Sequence, residues 1–292
     1  MNPSEGSVEK SVENEWTLVI KPHTRWWDLH LEDVWNYRDL LWMFVRRDFV
    51  STYKQTILGP LWFFIQPLLT TIMFTIIFAG VARIPTDGLP PILFYLAGMT
   101  PWNFFAACIT NTSSTFISNA NLFGKVYFPR LVVPISVVIS NLVQFAIQFL
   151  LFVGFFVWYA WNGSDLRPNL LLILFLTPFL LLAMGLLGLG AGITVSSLTT
   201  KYRDLGRLVT FGVQLMMYAT PVIYPMSSIP ERYRWLINLN PMSAIIESFR
   251  AIFLGGQVPW LGLANSAITT AITLGIGIVL FNRVEKTFMD TV

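Results

Sequence analysis

The chain has 292 residues, 54% of them hydrophobic and 12% charged, with a formal net charge of +3 and a single cysteine. Soluble domains carry about 25% charged residues, so the composition excludes an ordinary water-soluble fold and points to a polytopic membrane protein. A small positive charge is no sign of nucleic acid, because Lys and Arg in membrane proteins report which loops stay cytoplasmic; one Cys excludes a disulfide framework and a Cys-rich metal site.

Residues 1–25 read as a polar tail. Glu5, Glu9, Glu13 and Glu15 replace the basic and then apolar pattern of a signal peptide. Residues 26–52 are expected to form an amphipathic helix lying in the cytoplasmic interface. Leu31, Val34, Trp35, Leu41, Trp42, Val45 and Phe49 share one face, with Asp33, Asn36, Asp39, Arg46 and Arg47 largely opposite. Such a helix serves either as a passive anchor or as a working part.

Residues 53–292 read as an all-α transmembrane domain. Six apolar segments, near 59–82, 92–115, 131–159, 170–197, 207–225 and 261–282, are long enough to cross a bilayer. Backbone groups in lipid must be bonded internally, so these runs are helices. Cys108 falls inside the second and reads as a buried, inert thiol. In the fourth, Gly185, Gly188, Gly190 and Gly192 provide for close helix packing.

The cations set the orientation. Lys21, Arg25, Arg38, Arg46, Arg47, Lys54, Lys125, Arg130, Lys201, Arg203, Arg207, Arg283 and Lys286 fall on one side, against Arg83, Arg167, Arg232, Arg234 and Arg250 on the other. Both termini are therefore expected in the cytoplasm. The loop 116–130 carries Phe123, Lys125, Tyr127, Phe128, Pro129 and Arg130. Charge alone makes it an ordinary basic loop; exposed aromatics beside the cations suit a surface that docks on another protein.

Residues 227–260 hold two short apolar-periodic stretches separated at Asn240-Pro241, where a helix breaks and restarts. Neither is long enough to span, which suggests a re-entrant helix pair between spans five and six. Glu247 and Arg250, three apart, can pair on one helical face, as support for the hairpin or as part of an exit.

Enzyme chemistry is missing. His23 and His30 make no metal-binding spacing, no G-x-S-x-G occurs, and Gly124-Lys125 lacks the rest of a Walker A loop. The span interiors hold no Asp, Glu, Lys or His, which disfavours an ion-coupled transporter. If cargo moves, a partner supplies the energy. Trp62, Phe63 and Phe64 in the first span and Tyr218 and Tyr224 in the fifth are either lipid-facing rings or platforms for the C–H faces of sugars.

The stretches YKQTILGPLWFFIQPL (53–68), NLFGKVYFPRLVVP (121–134), ATPVIYP (219–225) and LNPMSAIIESFR (239–250) together resemble the signatures of ABC-2 type polysaccharide exporter permeases. The resemblance runs from about Trp35 to the C-terminus. It implies a homodimer of permeases paired with two ATP-hydrolysing subunits in the bacterial cytoplasmic membrane. ATP and Mg would be held by the partner, with no cofactor on this chain. The cargo would be a lipid-linked O-antigen, capsule or teichoic-acid glycan. The 116–130 loop would be the helix that couples to the ATPase, and Trp42, Arg46, Arg47 and Asp48 would flank a cytoplasmic gate. Trp62, Phe63, Phe64, Tyr218 and Tyr224 would line the glycan channel, with Asn240, Pro241, Glu247 and Arg250 at a re-entrant exit. The rival expectations are a drug or lipid exporter of the same superfamily and a membrane-embedded transferase of envelope assembly.

Overall fold

The computed structural model describes residues 31–54, 56–126, 128–202 and 204–287, and every regular element among them is helical. The tail 1–25, the start of the amphipathic helix, Tyr127 and Arg203 lie outside the described residues. The first elements are α1 (Leu31–Asn36) and α2 (Arg38–Tyr53). A continuous apolar helical segment follows over Gly59–Val81, comprising a 3-10 turn, α3 (Trp62–Phe74) and a π-helical end at Thr75–Val81. Pro67 sits inside α3 and has no N–H for the helical ladder.

Next come α4 (Pro91–Ser113), the short α5 (Thr115–Ser118) and α6 (Ala120–Phe123), then α7 (Val132–Trp161) and α8 (Leu170–Thr199). The chain closes with α9 (Leu205–Tyr218), α10 (Glu231–Asn238), α11 (Pro241–Leu254) and α12 (Trp260–Thr287). Five segments are long and apolar enough to cross a membrane: Gly59–Val81, Pro91–Ser113, Val132–Trp161, Leu170–Thr199 and Trp260–Val284. They coincide within a few residues with five of the six expected spans.

The segment expected at 207–225 differs. Its helix, α9, has 14 residues, about 21 Å at 1.5 Å per residue, against a hydrocarbon core of about 30 Å. Pro221 and Pro225 stop it. Proline supplies no N–H and pushes the preceding residue out of the helical region, so 219–225 runs on as turns.

The core is organised around α4, which packs against α3, α7, α8, α9 and α11. Its Leu93–Trp102 stretch is buried on every side, as an all-round apolar helix must be. Lipid tails are as apolar as Leu, so helices in a bilayer adhere through close packing and hydrogen bonds. Both occur here. Asn111 donates to Asn141 Oδ1 at 3.0 Å and Asn103 to Gln148 Oε1 at 3.2 Å, locking α4 to α7.

The glycines of α8 serve two neighbours. A Cβ on Gly188 would stand 2.5 Å from Cys108 Cβ, and one on Gly192 would stand 2.6 Å from Thr112 Cβ, both on α4. A Cβ on Gly190 would meet the Leu274 backbone of α12 at 2.7 Å. Across the same seam, a Cβ on Gly277 would lie 2.5 Å from the Gly190 carbonyl. Gly190→Leu is therefore expected to separate α8 from α12 and cost at least the 1–3 kcal/mol or so of overpacking. A lower melting temperature of the detergent-purified chain checks this, with Gly212→Leu on open space as control.

Candidate functional site

The loop joining α4 to α7 is built around rings. Phe116 stacks on Phe281 of α12 at 4.6 Å and meets Phe123 at 5.9 Å. Phe123 meets Phe128 at 5.7 Å, and Phe128 meets Phe44 of α2 at 5.8 Å. Arg130 lies over the Phe123 ring at 5.7 Å, within cation–π range. These rings form a second core, separate from the one around α4, with Val34, Leu41 and Val45 packed into it. The Ser196 hydroxyl accepts from Phe116 N–H at 3.2 Å, tying the loop to the end of α8.

Phe123 and Phe128 thus turn inward, each 5% exposed, where the expectation was exposed docking rings. Burial wins because four helices converge on this loop, and their ends supply the apolar partners. Gly124, Lys125 and Val126 are exposed, as are Ile117, Ser118 and Asn121 earlier in the loop, while Pro129 is half-buried.

The amphipathic helix is two helices meeting at Tyr37, and its buried face is shifted from the expected one. Val34, Leu41, Phe44 and Val45 are buried, whereas Trp35 and Trp42 are exposed at 70% and 62%. Phe44, left off the apolar stripe, is the most buried of them. Arg46 is exposed. Arg47 lies over the Phe44 ring at 4.7 Å, and its Nε donates to Asp48 Oδ1 at 2.8 Å.

Trp62 and Tyr218 are about half exposed, while Phe63, Phe64 and Tyr224 are half-buried. Phe63 stacks on Phe49 of α2 at 6.2 Å, and the Tyr224 hydroxyl donates to the Tyr218 carbonyl at 3.0 Å. No residue of α9 is buried, and in α3 only Pro67 and Thr71 are. Both helices pack on α4 with one side and keep exposed apolar side chains on the other, among them Leu69, Met73, Leu208 and Leu215.

The opposite end is held by α11. The Asn240 side chain caps it, accepting from Met242 N–H at 3.0 Å, and its amide donates to Thr220 Oγ1 at 2.7 Å. Pro241 takes the first helical position, where its missing N–H costs nothing. Arg250 does not form the expected ion pair with Glu247. Its guanidinium donates to the Pro221 and Val222 carbonyls and lies 3.8 Å from the Phe94 ring centroid. The stop in α9 leaves those carbonyls without helical partners, and Arg250, 6% exposed, supplies them.

The profile of the ABC-2 type transporter family matches residues 39–254. The chain belongs to this family. Within it, the chain is 32% identical over 252 residues to the O-antigen export system permease protein RfbA of Klebsiella pneumoniae, covering 86% of this chain and 94% of that one. It is 28% identical over 235 residues to RfbA of Myxococcus xanthus, covering 78% and 85%. The polysialic acid transport protein KpsM of Escherichia coli is 22% identical over 251 residues, covering 84% and 93%. The family match takes in nearly all of α2, the 116–130 loop, α9 and α11, so the Arg250 contacts and the rings Phe44, Phe116, Phe123 and Phe128 lie within it, while Phe281 lies beyond it.

Sequence reasoning missed Phe44, Phe116 and Phe281 in the ring cluster and the carbonyl partners of Arg250. The only available signal was the Pro221 and Pro225 pair, which marks carbonyls in need of a donor.

Proposed function

We propose that this chain is the membrane permease subunit of an ATP-driven exporter that moves a lipid-linked polysaccharide across the bacterial cytoplasmic membrane. The observation that carries this reading is similarity to O-antigen export permeases along 86% of the chain. The permease works as a homodimer with two ATPase subunits, and the exposed apolar side chains of α3 and α9 support pairing there. Trp62, Phe63, Phe64, Tyr218 and Tyr224 on these elements serve the glycan channel. Flat rings stack on sugars without selecting one unit, which suits a long repetitive cargo.

Helix α9 and the turns of 219–225 together make a sixth crossing, and α10 with α11 forms the re-entrant pair at the exit, where Asn240, Pro241, Glu247 and Arg250 lie. Both termini are cytoplasmic. Residues 1–25 form a tail, 26–52 an interface helix with Trp42, Arg46, Arg47 and Asp48 by the gate, and 53–292 the transmembrane domain. The 116–130 loop docks on the ATPase through exposed Lys125 and Val126, with Tyr127 between them and buried Phe128. Closure of the ATPases on ATP and Mg moves that loop as a rigid body. The ring cluster passes the movement to α2 and α12.

Deleting the gene in its host tests the reading. Surface polysaccharide is expected to fall below detection while lipid-linked polymer accumulates inside. Normal surface glycan in a strain without a second exporter overturns it in favour of a lipid or drug cargo.

A further inference from the structure

Between α11, the end of α10 and the start of α12 lies a cavity of about 630 Å³, within the 300–1,000 Å³ or so of small-ligand sites. Its walls carry Asn238, Ser243, Glu247, Trp260 and Asn265. Ser243 is 1% exposed, and its hydroxyl has no hydrogen-bond partner. The cause is local: Ser243 sits in the first turn of α11, where no helical carbonyl four residues earlier is available to take the proton. Glu247 is half-buried and faces the Met226 N–H. The nearby Arg250 spends its guanidinium donors on the Pro221 and Val222 carbonyls and acts on this carboxylate through charge alone, so the carboxylate keeps acceptor capacity. Asn265 donates to the Asn238 carbonyl at 3.2 Å, bridging the rim, and Trp260 leaves 59% of its surface open beside it.

We propose that this cavity binds a short stretch of saccharide, taken from the exported glycan as it leaves. The proposal rests on the exporter reading above. The wall chemistry selects the ligand. A carboxylate only accepts, whereas an unpartnered hydroxyl and two amides both donate and accept, so the matching ligand carries groups that do both. Sugar hydroxyls qualify. An ammonium only donates and leaves the Ser243 proton unplaced. A phosphate meets a carboxylate and no wall cation. Trp260 adds a flat apolar face for the C–H side of a pyranose ring. A phospholipid glycerol headgroup offers a similar array of hydroxyls, and the test separates that source.

The test measures binding of oligosaccharides cut from the host's own surface polysaccharide to the full-length chain co-purified with its ATPase, in nanodiscs. Wild type and Trp260→Phe are expected to bind, and Trp260→Ala to bind about tenfold more weakly or less, with unchanged yield and basal ATPase activity; Glu247→Gln is expected to weaken binding by a similar factor. Equal binding by all variants, or none by the wild type, overturns the proposal. So does Trp260-dependent binding of phosphatidylglycerol without binding of oligosaccharide. Gene deletion separates the two readings: if export is lost on deletion yet the purified protein binds no oligosaccharide, this cavity assignment alone fails. Normal export on deletion removes the exporter reading itself.

Discussion

Arg250→Ala is expected to be among the most damaging single substitutions in the chain. It strips the donors from two buried carbonyls, Pro221 and Val222, each costing about 1–3 kcal/mol when left unmet, so about 2–6 kcal/mol in all. It also removes the cation stacked on Phe94. The stop in α9 would then stay joined to α11 through the Asn240–Thr220 bond, and the segment between them should loosen. The expected result is a markedly lower melting temperature of the detergent-purified protein and faster hydrogen exchange over 219–225. Arg250→Lys reaches a carbonyl with a point charge but lacks the planar fork, so it should fall between the two. Gly98→Ala gives an independent check, because its Cβ would stand 2.5 Å from Arg250 Nη2 and 2.8 Å from the Val222 carbonyl. Should Arg250→Ala melt with the wild type, the guanidinium is not what holds this end together.

Phe128→Ala tests the other end. Phe128 is 5% exposed between Phe44 and Phe123, and truncating a core Phe costs about 3–5 kcal/mol. The loss falls on the joint between α2 and the loop, while α4, α7 and α8 keep their own contacts. Membrane insertion should therefore persist, whereas ATPase co-purification and export should both drop severalfold. Lys125→Glu separates shape from charge. Lys125 is exposed, so its reversal should leave the melting temperature unchanged and weaken ATPase association alone. Unchanged co-purification in both variants would remove the loop from the docking surface.

Much of the architecture was legible in the residues because the bilayer restricts the choices. Any apolar run of sufficient length must be a helix, since no water is present to satisfy its backbone, and five such runs fall within a few residues of their observed ends. The glycines of α8 were equally legible as packing positions, although not that Gly188 and Gly192 admit α4 while Gly190 admits α12. Length was the weaker guide at 207–225, where prolines end the helix early and turns follow.

Side-chain partners were not legible. Arg250 and Glu247 stand three apart on one helix, the spacing of a pair, yet the guanidinium goes to carbonyls of a segment about 28 residues away. Phe123 and Phe128 sit in a basic loop, where composition argues for exposure, and are buried by Phe44 and Phe281 from the two ends of the described chain. The sequence by itself determined the class of protein, the family and the five helices long enough to cross a membrane, because hydropathy and motif order act locally along the chain. Which rings face inward, which carbonyls hold Arg250 and which side chains enclose the cavity beside Trp260 were decided only when distant helices packed. Burial and hydrogen bonding depend on neighbours in space, and those neighbours are set by the tertiary fold.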